Sequence, residues 1–317
     1  MYSLKMKVLT VAVACVSLIY PVRGEAGKGG YRDIARFGDT FIAAGSEGRI
    51  DCISLSGELI RSDKFTGENF NCISSNDTMI IAAGDDGTIV ISPDGNSFRE
   101  AESGTDNNIN SLVLFNNMII AGADRGEILT GDAKGRFRKI RPGVRGNIVS
   151  VSAGNTGCYG VTDEGEIIHS PDGSGWEVFD FNEAYRGYYQ PGHFTGVVVT
   201  DDIIAVTGFR NDGTPLLIYS SQGKVWTERN LNYTDDMEMQ GTLRDMPNDI
   251  FYDKDIDQFF IACNSGNLMR LSSCHHCSRL TVLTGENLTA ISGAGNIIVT
   301  VGSNFFVRAL TLKELKP

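Results

Sequence analysis

The sequence predicts an all-β chain folded as a seven-bladed β-propeller of four-stranded antiparallel blades, because one segment recurs seven times, its turn glycines keep a fixed spacing, and the residues around them favour strands. The segment reads apolar strand, polar turn ending in glycine, second apolar strand. Its copies are Ile42 to Ile50 (IAAGSEGRI), Ile81 to Ile89 (IAAGDDGTI), Ile120 to Ile128 (IAGADRGEI), Tyr159 to Ile167 (YGVTDEGEI), Ala205 to Gly213 and Ala262 to Leu268 (ACNSGNL). A seventh, Thr300 to Phe305 (TVGSNF), lacks the turn glycine. Glycines 48, 87, 126, 165, 213 and 266 are separated by 39, 39, 39, 48 and 53 residues, and chance does not hold 39 three times. Each sits where a tight hairpin needs positive φ, between residues of high strand propensity.

A shorter strand opens each unit: Asn69 to Ile73 (NFNCI), Asn108 to Leu112 (NINSL), Asn147 to Val151 (NIVSV), Phe194 to Val197 (FTGV) and Asn287 to Ile291 (NLTAI). The small residue at Cys72, Ser111, Ser150, Gly196 or Ala290 suits an innermost strand, where blades converge. With an outer strand after each hairpin, about four strands fit in roughly 40 residues, the size of one blade. The repeats fall at 31–67, 68–106, 107–145, 146–191, 192–246, 247–285 and 286–317, one domain over 25–317. A fourth strand is not legible in the last repeat, and Glu25 to Gly30 is too glycine-rich to supply it.

The chain has 317 residues, 41% of them hydrophobic, with 37 glycines and 8 prolines, enough for a large β-rich core. Residues 1–24 have the layout of a cleaved secretory signal: Lys5 and Lys7, an apolar run from Val8 to Val22, then small residues at Gly24 and Ala26. The run is short for a membrane anchor, so no stable membrane insertion is expected and the destination is secreted or periplasmic. Removing Lys5, Lys7 and Arg23 with the leader takes the formal charge from −11 to −14. So acidic a domain repels phosphate backbones and anionic lipids, which argues against nucleic acid as a partner. Neither a cofactor nor a metal site is assigned, and a monomer is expected.

After the hairpin several repeats carry Ser-Pro-Asp-Gly-x-x-aromatic. Clear copies are Ser92 to Phe98, with Asp94, and Ser170 to Trp176, with Asp172; weaker ones are Thr130 to Phe137, with Asp132, and Ser220 to Trp226, where Gln222 replaces the acid. The motif resembles the Asp-box, or BNR repeat, of sialidases, sortilin-type receptors and photosystem II assembly-factor-like propellers. Its Asp is expected to accept backbone N–H groups of its own turn, and the aromatics, Trp176 and Trp226 among them, to pack between sheets. The resemblance to sialidases ends there. The only early arginine pair, in Arg32-Asp33-Ile34-Ala35-Arg36, does not match that family's Arg-Ile-Pro signature, so fold is implied more strongly than hydrolysis.

Six cysteines remain beyond the leader. Cys274-His275-His276-Cys277 falls where other repeats carry the Asp turn, and a structural Cys274–Cys277 disulfide is expected there. Zinc is the competing reading, but it needs about four ligands and no second Cys or His pair of suitable spacing exists. Cys52 and Cys72 lie on strands of consecutive repeats and could bridge two blades; Cys158 and Cys263 read as buried thiols.

A partner is expected where the period breaks and loops lengthen. The loop Glu177 to His193 carries Tyr185, Arg186, Tyr188 and Tyr189; the loop Thr227 to Asp249 carries Arg244 and Asp245. With His193, Arg210 and Asp212 these form the candidate ligand-binding set, expected on one face beside an acidic collar of Glu47, Asp85, Asp86, Asp124, Asp163, Glu164 and Asp212. The favoured reading is a secreted binding or assembly-scaffold propeller for a protein or glycan. The alternative is an Asp-box glycoside hydrolase or lyase using acids such as Glu183, Glu238 and Asp245.

Overall fold

The computed structural model describes residues 29–272 and 278–315. The expected leader and the Cys274–Cys277 segment lie outside them. Seven antiparallel sheets follow one another in sequence around a ring. Blade 1 runs outward from the channel as Tyr31–Phe37, Thr40–Gly45, Arg49–Ser54 and Leu59–Lys64. Blades 2 to 5 occupy 70–100, 109–140, 148–180 and 192–228, each with four strands.

Blade 6 spans 247–282 and is widened by a two-stranded ribbon, Asn232–Asp235 and Gln240–Thr242, whose first strand pairs in parallel with the outermost strand Arg279–Val282. Among the described residues, blade 7 has three strands, Leu288–Ala294, Ile297–Gly302 and Val307–Thr311. Among the described residues, no helix is long and apolar enough to cross a membrane.

The alternation of side chains along each strand explains the core, which is not one mass but seven apolar layers, one per junction between adjacent blades. Between blades 1 and 2, for example, Ile42, Ile50, Phe70, Ile73, Ile80 and Val90 are buried together. Between blades 5 and 6 the layer holds Ala205, Leu217, Ile250, Phe259, Ile261 and Met269.

The same alternation separates Cys52 from Cys72. Cys52 packs into the blade 1–2 layer, while Cys72, one residue before Ile73, turns to the blade 2–3 layer. No bridge forms between them, and Cys158 and Cys263 are buried thiols.

The turn glycines have positive φ, from 65° at Gly48 to 82° at Gly213. In four repeats the preceding residue is left-handed as well: Glu47 (φ 59°), Asp86 (51°), Arg125 (58°) and Ser265 (57°). Two successive positive φ values are the requirement of a tight hairpin whose twist matches its strands. In the seventh copy Asn304 and Phe305 both have φ 57°, so Phe305 occupies the position that glycine fills elsewhere.

Among the described residues, ring closure does not use a fourth strand of blade 7. Gly30 bridges to Ser303, the Asn304 N–H donates to the Gly29 carbonyl at 2.8 Å, and the Thr289 hydroxyl donates to the Tyr31 carbonyl at 2.8 Å. The Phe305 ring meets Tyr31 edge-on at 5.2 Å, and the Arg49 guanidinium lies 4.3 Å above the Phe305 ring centre. Asp51, fully buried, accepts from the Tyr31 hydroxyl and from Arg49 Nε at 2.7 Å. Burial and this carboxylate push the Tyr31 phenol far above its usual range.

Candidate functional site

The loop between blades 4 and 5 is built from a short helical turn, Phe181–Ala184, capped by Asp180, whose Oδ1 accepts the Glu183 N–H at 3.0 Å. A carboxylate here satisfies an orphan N–H at the helix start. Its Oδ2 pairs with Arg145 at 2.8 Å. Burial raises the Asp180 pKa, but these bonds and the positive charge outweigh it and hold the carboxyl below its usual range. Asn182 fixes the end of the loop: its amide donates to the Glu164 and Gly192 carbonyls, each at 3.0 Å, and accepts the Gly192 N–H at 2.8 Å.

The tyrosines divide into two kinds. Tyr185 and Tyr189 pack with Phe181, at 4.9 and 5.9 Å between ring centres, against the apolar layer of blades 4 and 5. The Tyr185 hydroxyl accepts the Trp226 N–H at 2.8 Å, tying the loop to the outer part of blade 5. These two rings fill the wedge that opens as two blades splay apart. Tyr188, by contrast, is 86% exposed. Beside it a cleft of about 330 Å³ is lined by Arg145, Asp180, Glu183, Arg186, Tyr189 and Pro191. Arg186 is ion-paired with Glu183 on the loop itself.

The other candidate residues do not converge on this cleft. His193 shares hydrogen bonds with the Asp163 carbonyl (2.6 Å) and Asn211 Oδ1 (2.7 Å) and stacks on Phe209. Arg210 is ion-paired with Glu228. Asp212 accepts the Thr214 N–H of its own turn at 2.9 Å, and Asp245 accepts from the Asn267 amide at 2.8 Å. Arg244 is exposed on the connection into blade 6. The acids considered for hydrolysis are equally dispersed: Glu238, at the ribbon tip, pairs with Arg279. The ribbon extends blade 6 outward instead of arching over the channel, because its first strand finds backbone partners on the outermost strand.

The acidic collar is largely spent on the ring itself. Asp85 accepts from the amides of Asn69 (2.7 Å) and Asn71 (2.9 Å), Asp124 from Asn110 (2.9 Å), and Asp163 from the Asn147 N–H (2.7 Å) and amide (2.9 Å). Burial raises the Asp163 pKa against these bonds, with Glu164 and Asp124 adding to the rise. The Asp-turn acids are local staples. Asp94 accepts the N–H groups of Asn96 and Ser97 at 2.9 and 3.0 Å, Asp172 that of Ser174 at 2.8 Å, and Asp132 that of Lys134 at 2.9 Å. Trp226 is buried in the blade 4–5 layer, and Trp176 packs partly buried on the blade 3–4 layer.

Sequence reasoning did not find Arg145, Asp180 or Asn182. Asp180 had a usable signal, an acid three residues before Glu183 at the start of the loop. Arg145 had none, because its role depends on the approach of a loop from the next blade.

No protein-family profile matches this chain, and no curated protein matches it either. Solved structures do. One described as YCF48 bound to D1 peptide is 12% identical, with a TM-score of 0.67 over 90% of this chain and 94% of that one. The Neurospora crassa Pan2 WD40 domain is 8% identical, with a TM-score of 0.66 over 89% of this chain and 88% of that one. The computationally designed Ika8 protein is 12% identical, with a TM-score of 0.62 over 90% and 96%. At these identities the likeness is one of fold: the chain is a seven-bladed β-propeller.

Proposed function

We propose that the chain is a binding or assembly-scaffold propeller that holds a polypeptide segment at the cleft lined by the blade 4–5 loop and Arg145. One observation carries the reading: Tyr188 is 86% exposed beside that cleft, on a loop whose other aromatic residues are packed into the core. An exposed aromatic two residues from Arg186, on the loop whose cleft Arg186 and Arg145 line, has the make-up of an anchor for a protein partner. The solved structure described as YCF48 bound to D1 peptide supports a polypeptide over a glycan as the occupant. The layout of residues 1–24 supports a secreted or periplasmic location.

The test is site-specific crosslinking in the source cells, with a photoreactive phenylalanine analogue at position 188 and, as control, at the exposed Leu59. One discrete protein adduct from position 188 that disappears with Arg186→Glu is expected. Adducts equal at both positions, or none at 188, would overturn the assignment.

A further inference from the structure

The last residue of the innermost strand recurs every 39 positions through the first four blades, as Phe37, Asn76, Phe115 and Gly154. Alternation along the strand points this residue at the following blade. Phe37 packs into the blade 1–2 layer, its ring 3.8 Å from where a Cβ on Gly95 would stand, and Phe115 packs into the blade 3–4 layer. At Gly154 the space is taken by Val199 of blade 5, 2.7 Å from an added Cβ. Asn76 makes no such contact. Its Oδ1 accepts the N–H (2.9 Å) and the hydroxyl (3.1 Å) of Thr78, which folds the side chain onto its own exposed turn.

Beside Asn76 a groove of about 800 Å³ opens between blades 2 and 3. Met79 and Ile91 of blade 2 and Leu114 of blade 3, all part of the apolar layer between these blades, form its apolar wall. Asn116 and Asn117 line it from an exposed turn in which both have positive φ, 48° and 63°. Arg99, which donates to the Ala133 carbonyl at 2.6 Å, is the one cation of the lining, and no acid lines the groove among the described residues. In a chain of formal charge −11 that is a local reversal of sign.

We propose that this groove is a docking site for a partner polypeptide that inserts an aromatic side chain where the junctions on either side carry their own phenylalanine. The repeat itself defines the fit, because the same strand register accepts a Phe ring between blades 1 and 2 and between blades 3 and 4. The exposed amides of Asn116 and Asn117 offer donors and acceptors to the backbone of an extended segment, and Arg99 favours a segment that carries a carboxylate. Hairpins joining the first and second strands of a blade emerge opposite the loops that join blades. The groove therefore lies on the other face from Tyr188 and stands independently of the reading given for the blade 4–5 loop.

A phage-displayed library of random short peptides, selected on the whole chain, tests the proposal. Enriched peptides should carry Phe, Tyr or Trp together with an acidic residue, and replacing that aromatic by Ala should weaken binding at least about tenfold, the scale of one buried ring. With a benzophenone amino acid at the aromatic position, crosslinks should fall on Met79 or Leu114. Asn76→Phe, which supplies the ring in cis, should also weaken binding at least about tenfold, Arg99→Gln about threefold, as for an exposed ion pair, and Tyr188→Ala not at all. Selection without aromatic enrichment, or crosslinks confined to other surfaces, would overturn the groove, whether or not Asn76→Phe folds. So would undiminished binding to a folded Asn76→Phe.

Discussion

Asn147 Oδ1 accepts the N–H of Arg125 at 2.9 Å, joining the start of blade 4 to the left-handed residue at the hairpin of blade 3. The same pair of positions, 22 residues apart, is joined at three other junctions. Asn147→Ala removes this bond and the one its amide donates to Asp163, so it should cost about 2 kcal/mol, the usual net worth of two such bonds, read by denaturant unfolding. Arg125→Gly should keep the bond and relieve the positive φ, leaving stability unchanged or raised by up to about 1 kcal/mol.

Phe305 is a glycine position filled by an aromatic. Phe305→Gly would remove backbone strain of about 1 kcal/mol but also the ring contact with Tyr31, the Arg49 stack and buried area, together worth about 2–3 kcal/mol. The expected outcome is a net loss of about 1–2 kcal/mol in thermal or denaturant unfolding, with blade 7 and blade 1 amides losing protection first. A more stable variant would show that the ring does not depend on this contact.

The tyrosines of the blade 4–5 loop should separate in experiment. Tyr185→Ala removes a packed ring and leaves the Trp226 N–H without its acceptor, for a loss of about 3 kcal/mol. Tyr188→Ala should change stability by less than about 0.5 kcal/mol while removing partner capture. Equal effects on stability would mean that Tyr188 is structural after all.

Acid should act on the Asp turns and on Asp163 in opposite senses. Backbone N–H groups hold Asp94 and Asp172 below the usual range, so their contribution is present above the unfolded pKa and is lost as pH falls through the lower folded one. Burial raises Asp163 in the folded state, so its ionisation works against folding, and that penalty disappears as pH falls through its folded pKa. Melting temperature followed from pH 7 to 3 should fall less steeply below about pH 4 in the Asp94→Asn, Asp172→Asn double variant, and more steeply in Asp163→Asn.

Thiol reactivity should follow burial. Cys52, half-buried, should react first in the native protein, and Cys158, whose thiol burial pushes up to about 12, only on unfolding. Of the seven cysteines in the sequence, Cys15 leaves with the expected leader. Unfolded, unreduced protein should then expose Cys52, Cys72, Cys158 and Cys263 but not Cys274 or Cys277 if the latter pair is a disulfide. Titration of those two as well, with metal release on chelation, would favour zinc.

The repeat by itself determined the number of blades, the order of strands within them and the turn glycines, because each depends on hydrogen bonds and alternation within about 40 residues. Even Asp94 and Asp172 were legible as staples, since their partners lie two or three residues away. What only the tertiary structure decided depends on approach between blades. Nothing local distinguishes Tyr185 from Tyr188, yet one meets Trp226 of the next blade and the other meets solvent. Cys52 and Cys72 stand on neighbouring repeats but turn to different layers. Ring closure was unreadable, because the bonds that close the ring join Gly29, Gly30 and Tyr31 to residues more than 250 positions away.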